Sequence, residues 1–114
     1  MYDLSKSKPL LIHFWATWCP TCKLEASNIA FVSARYEVLS IAIDSGSDEV
    51  LRAYMQEHDL HFNVLNDQEG VWAKSFNVQV YPTTFIYDTQ GELEFTEVGY
   101  TSIAGFMLRL SMLE

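Results

Sequence analysis

Two cysteines, Cys19 and Cys22, stand with two residues between them. Thiols at that spacing can interchange between dithiol and disulfide, hold a metal, or close a structural loop. A structural zinc site needs four ligands, often from two such pairs. Here there is one pair, and His58 and His61 lie far along the chain without finger spacing. A purely structural disulfide across two residues would close a tiny loop and remove little chain entropy. Redox exchange is the reading that also uses the flanking sequence. The apolar run "LLIHFWA" leads into the pair, and a helical pattern starts at Pro20. Cys19 therefore ends a buried strand, and Cys22 lies about one turn into the following helix. Unpaired N–H groups and a partial positive charge at a helix N-terminus favour thiolate over thiol. Cys19 is expected to be the acidic, exposed nucleophile. Cys22 is expected to attack the resulting mixed disulfide and release the product. Pro20 and Thr21 lie between the sulfurs and set the local N–H pattern.

The elements that must position this pair follow from periodicity. "KPLLIHFWA" reads as a strand buried on both faces and entered through Pro9. From Pro20 to about Arg35 the spacing is helical, with Leu24, Ile29, Phe31, Val32 and Ala34 as the inward stripe and Lys23, Asn28 and Arg35 outside. Pro20 suits a first helical turn. "EVLSIAID" is a second strand, ended by Asp44 and Ser45. Ser47 caps a helix with Asp48 and Glu49 in its first turn and Val50, Leu51 and Tyr54 inward. "HFNVLND" is a short strand, and "EGVWAKSFNV" a short helix with Val71, Trp72 and Phe76 as apolar contacts. "TTFIYD" and "LEFTEVG" form a hairpin around Gln90-Gly91. "TSIAGFMLRLSML" closes as a helix capped by Thr101 or Ser102. The order β-α-β-α-β-α-β-β-α predicts an α/β sheet with parallel crossovers and an antiparallel edge. Trp15, Trp72, Phe76, Phe85 and Ile86 are the expected core aromatics and aliphatics. Trp18 is expected to be partly exposed beside Cys19, where it can pack against a partner.

Composition narrows the function class. The 114 residues suffice for one domain, residues 1–114, with its own core. Hydrophobic residues make up 49% of the chain, as expected of a packed globule. A net charge of −8 with only seven Lys and Arg disfavours nucleic acid as partner. The four Met are too dispersed for a copper site. Copper(I) does favour soft thiolates, so a module using the cysteines as ligands stays an alternative. No stretch is apolar and long enough to span a bilayer, and the start, "DLSKSKP", is not a signal peptide. Either the protein is cytosolic, or a targeting segment or anchor precedes this chain. The first strand begins almost at once, which favours a missing upstream segment.

With "FWATWCPTC", "YPTTFIYDTQGEL" and the element order between them, nearly the whole chain resembles the thioredoxin superfamily. "FWATWCPTCKLE", with an acid three residues past the second cysteine, and the extra helix-strand segment from about Ser47 to Leu65 resemble the membrane-tethered TlpA-like branch. The tail "GYTSIAGFMLRL" is most similar to the ScsD proteins, named for suppression of copper sensitivity. The resemblance implies a thioredoxin-like fold: a central mixed sheet flanked by helices, with a TlpA-type insertion. It implies that Pro82 is a cis proline facing the cysteine pair and that Tyr81 offers backbone groups to an incoming peptide. Thr83 holds the place where cytochrome c maturation reductases often carry an acid, and is counted with Trp18, Pro20, Thr21 and Tyr81 as substrate-contacting. Thioredoxin carries a buried Asp on the entering strand, and His13 aligns there. Either His13 affects proton transfer to Cys22, or it is a strand histidine bonded to a backbone carbonyl, the reading favoured here. Glu25 holds the place of the TlpA-like acid that serves Cys22, and a solvated helix carboxylate is the alternative.

The implied function is a periplasmic, tethered thiol–disulfide reductase acting on protein disulfides. It would use Cys19, Cys22, Pro82 and Glu25, a membrane electron donor, no cofactor and no metal, and act as a monomer. A disulfide isomerase or oxidase uses the same chemistry at a less negative potential.

Overall fold

The computed structural model describes residues 8–114; the polar start read above from Met1 to Ser7 lies outside them. Five strands form one sheet in the order β3-β2-β1-β4-β5, with β1 spanning Leu10–Trp15, β2 Glu37–Ile43, β3 Val64–Asp67, β4 Thr83–Tyr87 and β5 Leu93–Val98. β1 is central: it pairs in parallel with β2 and antiparallel with β4. That position explains why its sequence is apolar on both faces and why Leu11 to Trp15 are all buried. Helices α1 (Pro20–Ser33), α2 (Asp48–Glu57), α3 (Val71–Ser75) and α4 (Ile103–Met112) connect or close the strands. The order matches the sequence expectation element by element. The fold is a mixed five-stranded sheet flanked by helices, of thioredoxin-like type.

Strand alternation divides the core into two layers. Leu11 and Trp15 of β1, Val38 and Ala42 of β2 and Ile86 of β4 pack with Ile29 and Val32 of α1, Leu51 and Met55 of α2, and Phe106 and Leu110 of α4. Ile12 and Phe14, with Ile41 and Ile43, face the other layer together with Ala73 and Val78. On that second face Phe14 meets Phe76 and Phe85 at centroid distances of 5.2 and 5.9 Å.

His13 shares the parity of Leu11 and Trp15 and so points toward α1. Its register partners are Ser40 on β2 and Thr84 on β4. A polar row, Ser40–His13–Thr84, thus crosses the three central strands inside an otherwise apolar layer. Ser40 accepts the indole N–H of Trp15.

Three side-chain expectations are corrected. On α1 the buried residues are Cys22, Glu25, Asn28, Ile29 and Val32, whereas Leu24 is 72% exposed and Phe31 and Ala34 also face solvent. The helix is phased by its N-terminal cysteines, and the face that follows Cys22 carries two polar residues. Val50 faces solvent on α2, where Leu51 and Met55 are the buried residues. Val71 and Trp72 are also exposed, Trp72 by 48%. The carboxylate of Asp67 accepts the N–H groups of Val71, Trp72 and Ala73 and fixes how α3 enters, so that Ala73 is its buried residue.

Candidate active site

Cys19 is the N-cap of α1, with φ −93° and ψ 115°, and Pro20 follows in the first turn. In this position Cys19 Sγ accepts the N–H of Cys22 at 3.2 Å, as an oxygen does in an ordinary cap. The same sulfur lies 3.5 Å from the carbonyl oxygen of Tyr81, to which its S–H donates. Both cysteines are free thiols. Neither is well exposed: Cys19 is 6% and Cys22 2% accessible. The exposed nucleophile of the sequence reading is therefore corrected to a nearly covered one. Its cap geometry turns the sulfur toward the Cys22 amide and the Tyr81 carbonyl.

The loop before α1 is pinned by the end of β2. Asp44 adopts φ 47° and Gly46 φ 90°, which turns the chain sharply after Ile43. A side chain at Gly46 would also meet Val50 at 3.0 Å. Within this turn Ser45 Oγ accepts the N–H of Thr17 at 3.0 Å, and the Asp44 carbonyl accepts the indole N–H of Trp18 at 2.9 Å. Trp18 stays 54% exposed and meets Tyr81 edge-on, with centroids 6.0 Å apart. Pro20 is exposed and Thr21 half-buried.

The Tyr81–Pro82 peptide is cis. Pro82 is buried, and its carbonyl accepts the N–H of Gly99 at 2.8 Å. Thr83 is turned inward: it is buried, and its hydroxyl donates to the Val80 carbonyl at 2.6 Å. It braces the turn that carries Tyr81. Trp18, Cys19 and Tyr81 are thus brought together on one surface.

Behind Cys22 lies a second, buried group. Glu25, one turn along α1, is 0% exposed, so it is not a solvated helix carboxylate. Its Oε2 accepts the N–H of Thr101 at 2.6 Å. Its Oε1 has no hydrogen-bond partner among the described residues. His13 Nδ1 lies 3.4 Å from that oxygen and 3.0 Å from Thr84 Oγ1. The backbone partner expected for His13 is corrected accordingly. The β1 carbonyls are committed to the two flanking strands, so the ring meets side chains projecting from the same face. Asn28 completes the group, its amide donating to the Thr101 carbonyl at 2.9 Å and the Tyr100 hydroxyl at 3.0 Å.

Burial dominates the electrostatics here. It pushes the Cys22 thiol well above its ordinary value, aided by the contact with Cys19 and opposed by the Ala16 backbone. It raises the Glu25 carboxyl to about 7, against the favourable Thr101 N–H. It lowers His13 to about 3, so the ring is neutral near pH 7.

Sequence reading singled out His13 and Glu25 but missed Asn28, Thr84, Gly99 and Thr101. For Gly99 and Thr101 the signal was the "GYTS" segment, whose amides hold the Pro82 carbonyl and the Glu25 carboxyl; Asn28 and Thr84 lie outside it.

Residues 1–96 match the AhpC/TSA family. The chain belongs to that family. It is 32% identical over 113 residues to a thioredoxin-like protein of Haemophilus influenzae, covering 98% of this chain and 67% of that protein. It is 31% identical over 94 residues to the thiol-disulfide oxidoreductase ResA of Oceanobacillus iheyensis, covering 78% of this chain and 48% of ResA. The chain thus spans about half to two thirds of the length of these curated relatives. Among solved structures, a secreted Mycobacterium tuberculosis disulfide oxidoreductase superposes with a TM-score of 0.81 at 26% identity, covering 93% of this chain and 82% of that one. Named thiol-disulfide oxidoreductases are thus among the family members similar to this chain. Among the described residues no three His, Cys, Asp or Glu side chains are grouped to hold a metal, and no helix is long and apolar enough to cross a membrane.

Proposed function

We propose that this chain is a thiol–disulfide oxidoreductase that reduces disulfides of partner proteins outside the cytoplasm, with Cys19 as nucleophile and Cys22 as resolving thiol. One observation carries the reading: Cys19 Sγ sits at a helix N-terminus, between the Cys22 amide and the Tyr81 carbonyl. Cys19 as thiolate attacks one sulfur of the target disulfide. That bond breaks, the departing target sulfur takes up a proton, and a mixed disulfide forms. Cys22 then loses its proton and attacks Cys19 Sγ, which releases the second target thiol and leaves the Cys19–Cys22 disulfide. Two electrons pass from the pair to the target. Tyr81 and Pro82 line the approach, where a target segment can pair with the Tyr81 backbone as a short strand. Trp18, Pro20 and Thr21 form the exposed surface around it, and Thr83 supports it from within.

The direction of electron flow rests on the TlpA-like resemblance, which also brings a membrane electron donor, a tether ahead of this chain, and monomeric action without a cofactor. The secreted mycobacterial relative supports the location. The exposed Trp18–Tyr81 pair gives a second reading some ground, that of an isomerase or oxidase accepting many chains.

Two measurements decide. Cys19→Ser is expected to reduce protein disulfides no faster than background, and Cys22→Ser to accumulate a mixed disulfide; a Cys19→Ser protein with wild-type exchange ends the proposal. Equilibration with glutathione or a reference thioredoxin then fixes direction. A potential near thioredoxin's, about −270 mV, fits a reductase, whereas one near DsbA's, about −120 mV, makes the protein an oxidant.

A further inference from the structure

We propose that His13 is a positioning residue for the resolving step, its Nδ1 serving Glu25 Oε1, the carboxyl oxygen behind Cys22 that has no hydrogen-bond partner among the described residues. The inference rests on the oxidoreductase reading and deepens it. Glu25 Oε2 takes a backbone N–H from Thr101, which cannot accept a proton in return. The proton of the neutral acid therefore resides on Oε1, and Oε1 faces His13 Nδ1 at 3.4 Å. The same nitrogen is 3.0 Å from Thr84 Oγ1. His13 thus stands between two partners, a hydroxyl on β4 and a carboxyl on α1.

The Cys22 thiol must lose its proton to attack Cys19, because the thiolate is the nucleophile. In this step the Cys22 S–H proton passes to the Glu25 carboxylate and settles on Oε1. The Cys22 sulfur bonds to Cys19 Sγ, the Cys19–target bond breaks, and its electron pair leaves on the target sulfur. A carboxylate buried with one bare oxygen is a costly acceptor. His13 Nδ1–H turned to Oε1 supplies the missing bond to the charged form. Bonds to a charged acceptor are about twice as strong as neutral ones, so His13 favours the carboxylate even though it can also accept from the acid.

Other groups face this site. From α1 come Cys22 and, at the helix start, Cys19; from α2, Tyr54 packs against the core cluster that contains both cysteines. From the β5–α4 link come Thr101 and Tyr100, whose hydroxyl is engaged by Asn28. Burial raises Glu25 to about 7 and lowers His13 to about 3, which leaves the ring neutral while the carboxyl titrates.

The test follows the Glu25 carboxyl by carbon NMR in reduced protein, with Glu25→Gln for assignment, alongside the pH dependence of mixed-disulfide resolution. His13→Leu removes the ring nitrogen at similar bulk. It is expected to move the Glu25 midpoint up by about one pH unit and, by lowering the carboxylate fraction from about one half to about one tenth, to slow resolution about fivefold at pH 7. His13→Asn, which puts an amide near the Nδ1 position, is expected to restore both. Thr84→Val leaves His13 in place but removes its rival partner, and is expected to move the midpoint the opposite way. It also keeps the test decisive should the leucine variant fail to fold. A midpoint unchanged in Thr84→Val, or in a folded His13→Leu, overturns the proposal. The carboxyl titration does not depend on turnover. Loss of Cys19-dependent exchange would therefore overturn the oxidoreductase reading while the His13–Glu25 link stood or fell on its own signal.

Discussion

The two thiols lie one helical turn apart, yet their surroundings differ in kind. Cys19 is met by main-chain groups and by aromatic rings that reach solvent: the Cys22 amide, the Tyr81 carbonyl and the exposed Trp18. Cys22 backs onto buried polar side chains drawn from two parts of the fold, Glu25 and Asn28 from α1 and His13 and Thr84 from the sheet, with the first two held by the main chain of Thr101. Main-chain groups and a half-exposed indole can meet many partner sequences. Buried side chains meet only what the fold brings to them, and each costs stability unless it is hydrogen-bonded. The front thus provides recognition of low side-chain specificity, and the back provides control of a proton.

The sharpest way to break this comparison is Glu25→Gln, which keeps the shape and an acceptor for Thr101 but removes the base. If the back controls the proton, the resolving step should slow by roughly 100-fold or more, the usual contribution of a placed general base. The first attack by Cys19 should be little changed. Quenched-flow trapping would then show the mixed disulfide accumulating. Resolution at the wild-type rate would reduce the back of the site to packing alone.

A smaller effect, on stability, sharpens the same point. The folded protein holds the Glu25 proton up to about pH 7, whereas an ordinary carboxyl sheds it near 4.5. The unfolded state therefore binds fewer protons in that window, and the Glu25 term lowers stability as pH rises, by about 1.4 kcal/mol per pH unit. His13 acts with the opposite sign. Its folded value of about 3 lies below the ordinary 6.5, so its term raises stability as pH climbs through that range. From about pH 4.5 to 6.5 the two slopes cancel. Glu25→Gln removes one of them, and urea titrations should show the variant gaining about 3 kcal/mol on the wild type between pH 4.5 and pH 7. A constant difference across that range would mean that Glu25 is not held neutral by burial.

The front of the site was more legible in the sequence than the back, for the same physical reason. Cys19, Cys22 and Trp18 sit in one short motif whose spacing places them at a helix start, Pro82 was placed opposite them by the thioredoxin-like resemblance, and the strand and helix order followed from local periodicity. The back depends on register and helix phase. Thr84 meets His13 only because β1 and β4 pair antiparallel with those residues opposed, 71 positions apart. On α1, reading apolar residues as inward placed Leu24 and Phe31 inside and Asn28 outside, the reverse of what is found. The helix is phased by Cys22, and its inward face has polar side chains that find partners in the Gly99–Thr101 segment. A rule that puts apolar residues inside misses a buried polar site by construction, and a weakly amphipathic helix after a cysteine pair is the hint it leaves.

The smallest effect tests the front. Trp18 is 54% exposed, donates one hydrogen bond to the Asp44 carbonyl, and meets Tyr81 edge-on. An edge-to-face pair of this kind contributes about 0.5–1.5 kcal/mol, and a half-exposed ring leaves little cavity when removed. Trp18→Ala should therefore lower stability by about 1–2 kcal/mol, from the ring pair and the hydrogen bond together. If the indole is a contact surface for partner chains, its loss should raise KM for a protein disulfide roughly fivefold, equivalent to about 1 kcal/mol of binding. The rate with a small disulfide such as oxidised glutathione, which makes few contacts beyond the sulfurs, should stay the same. Equal loss on both substrates would assign Trp18 to the placement of Cys19 through the Asp44 turn. The front would then be, like the back, a device for holding the thiols rather than a surface for meeting partners.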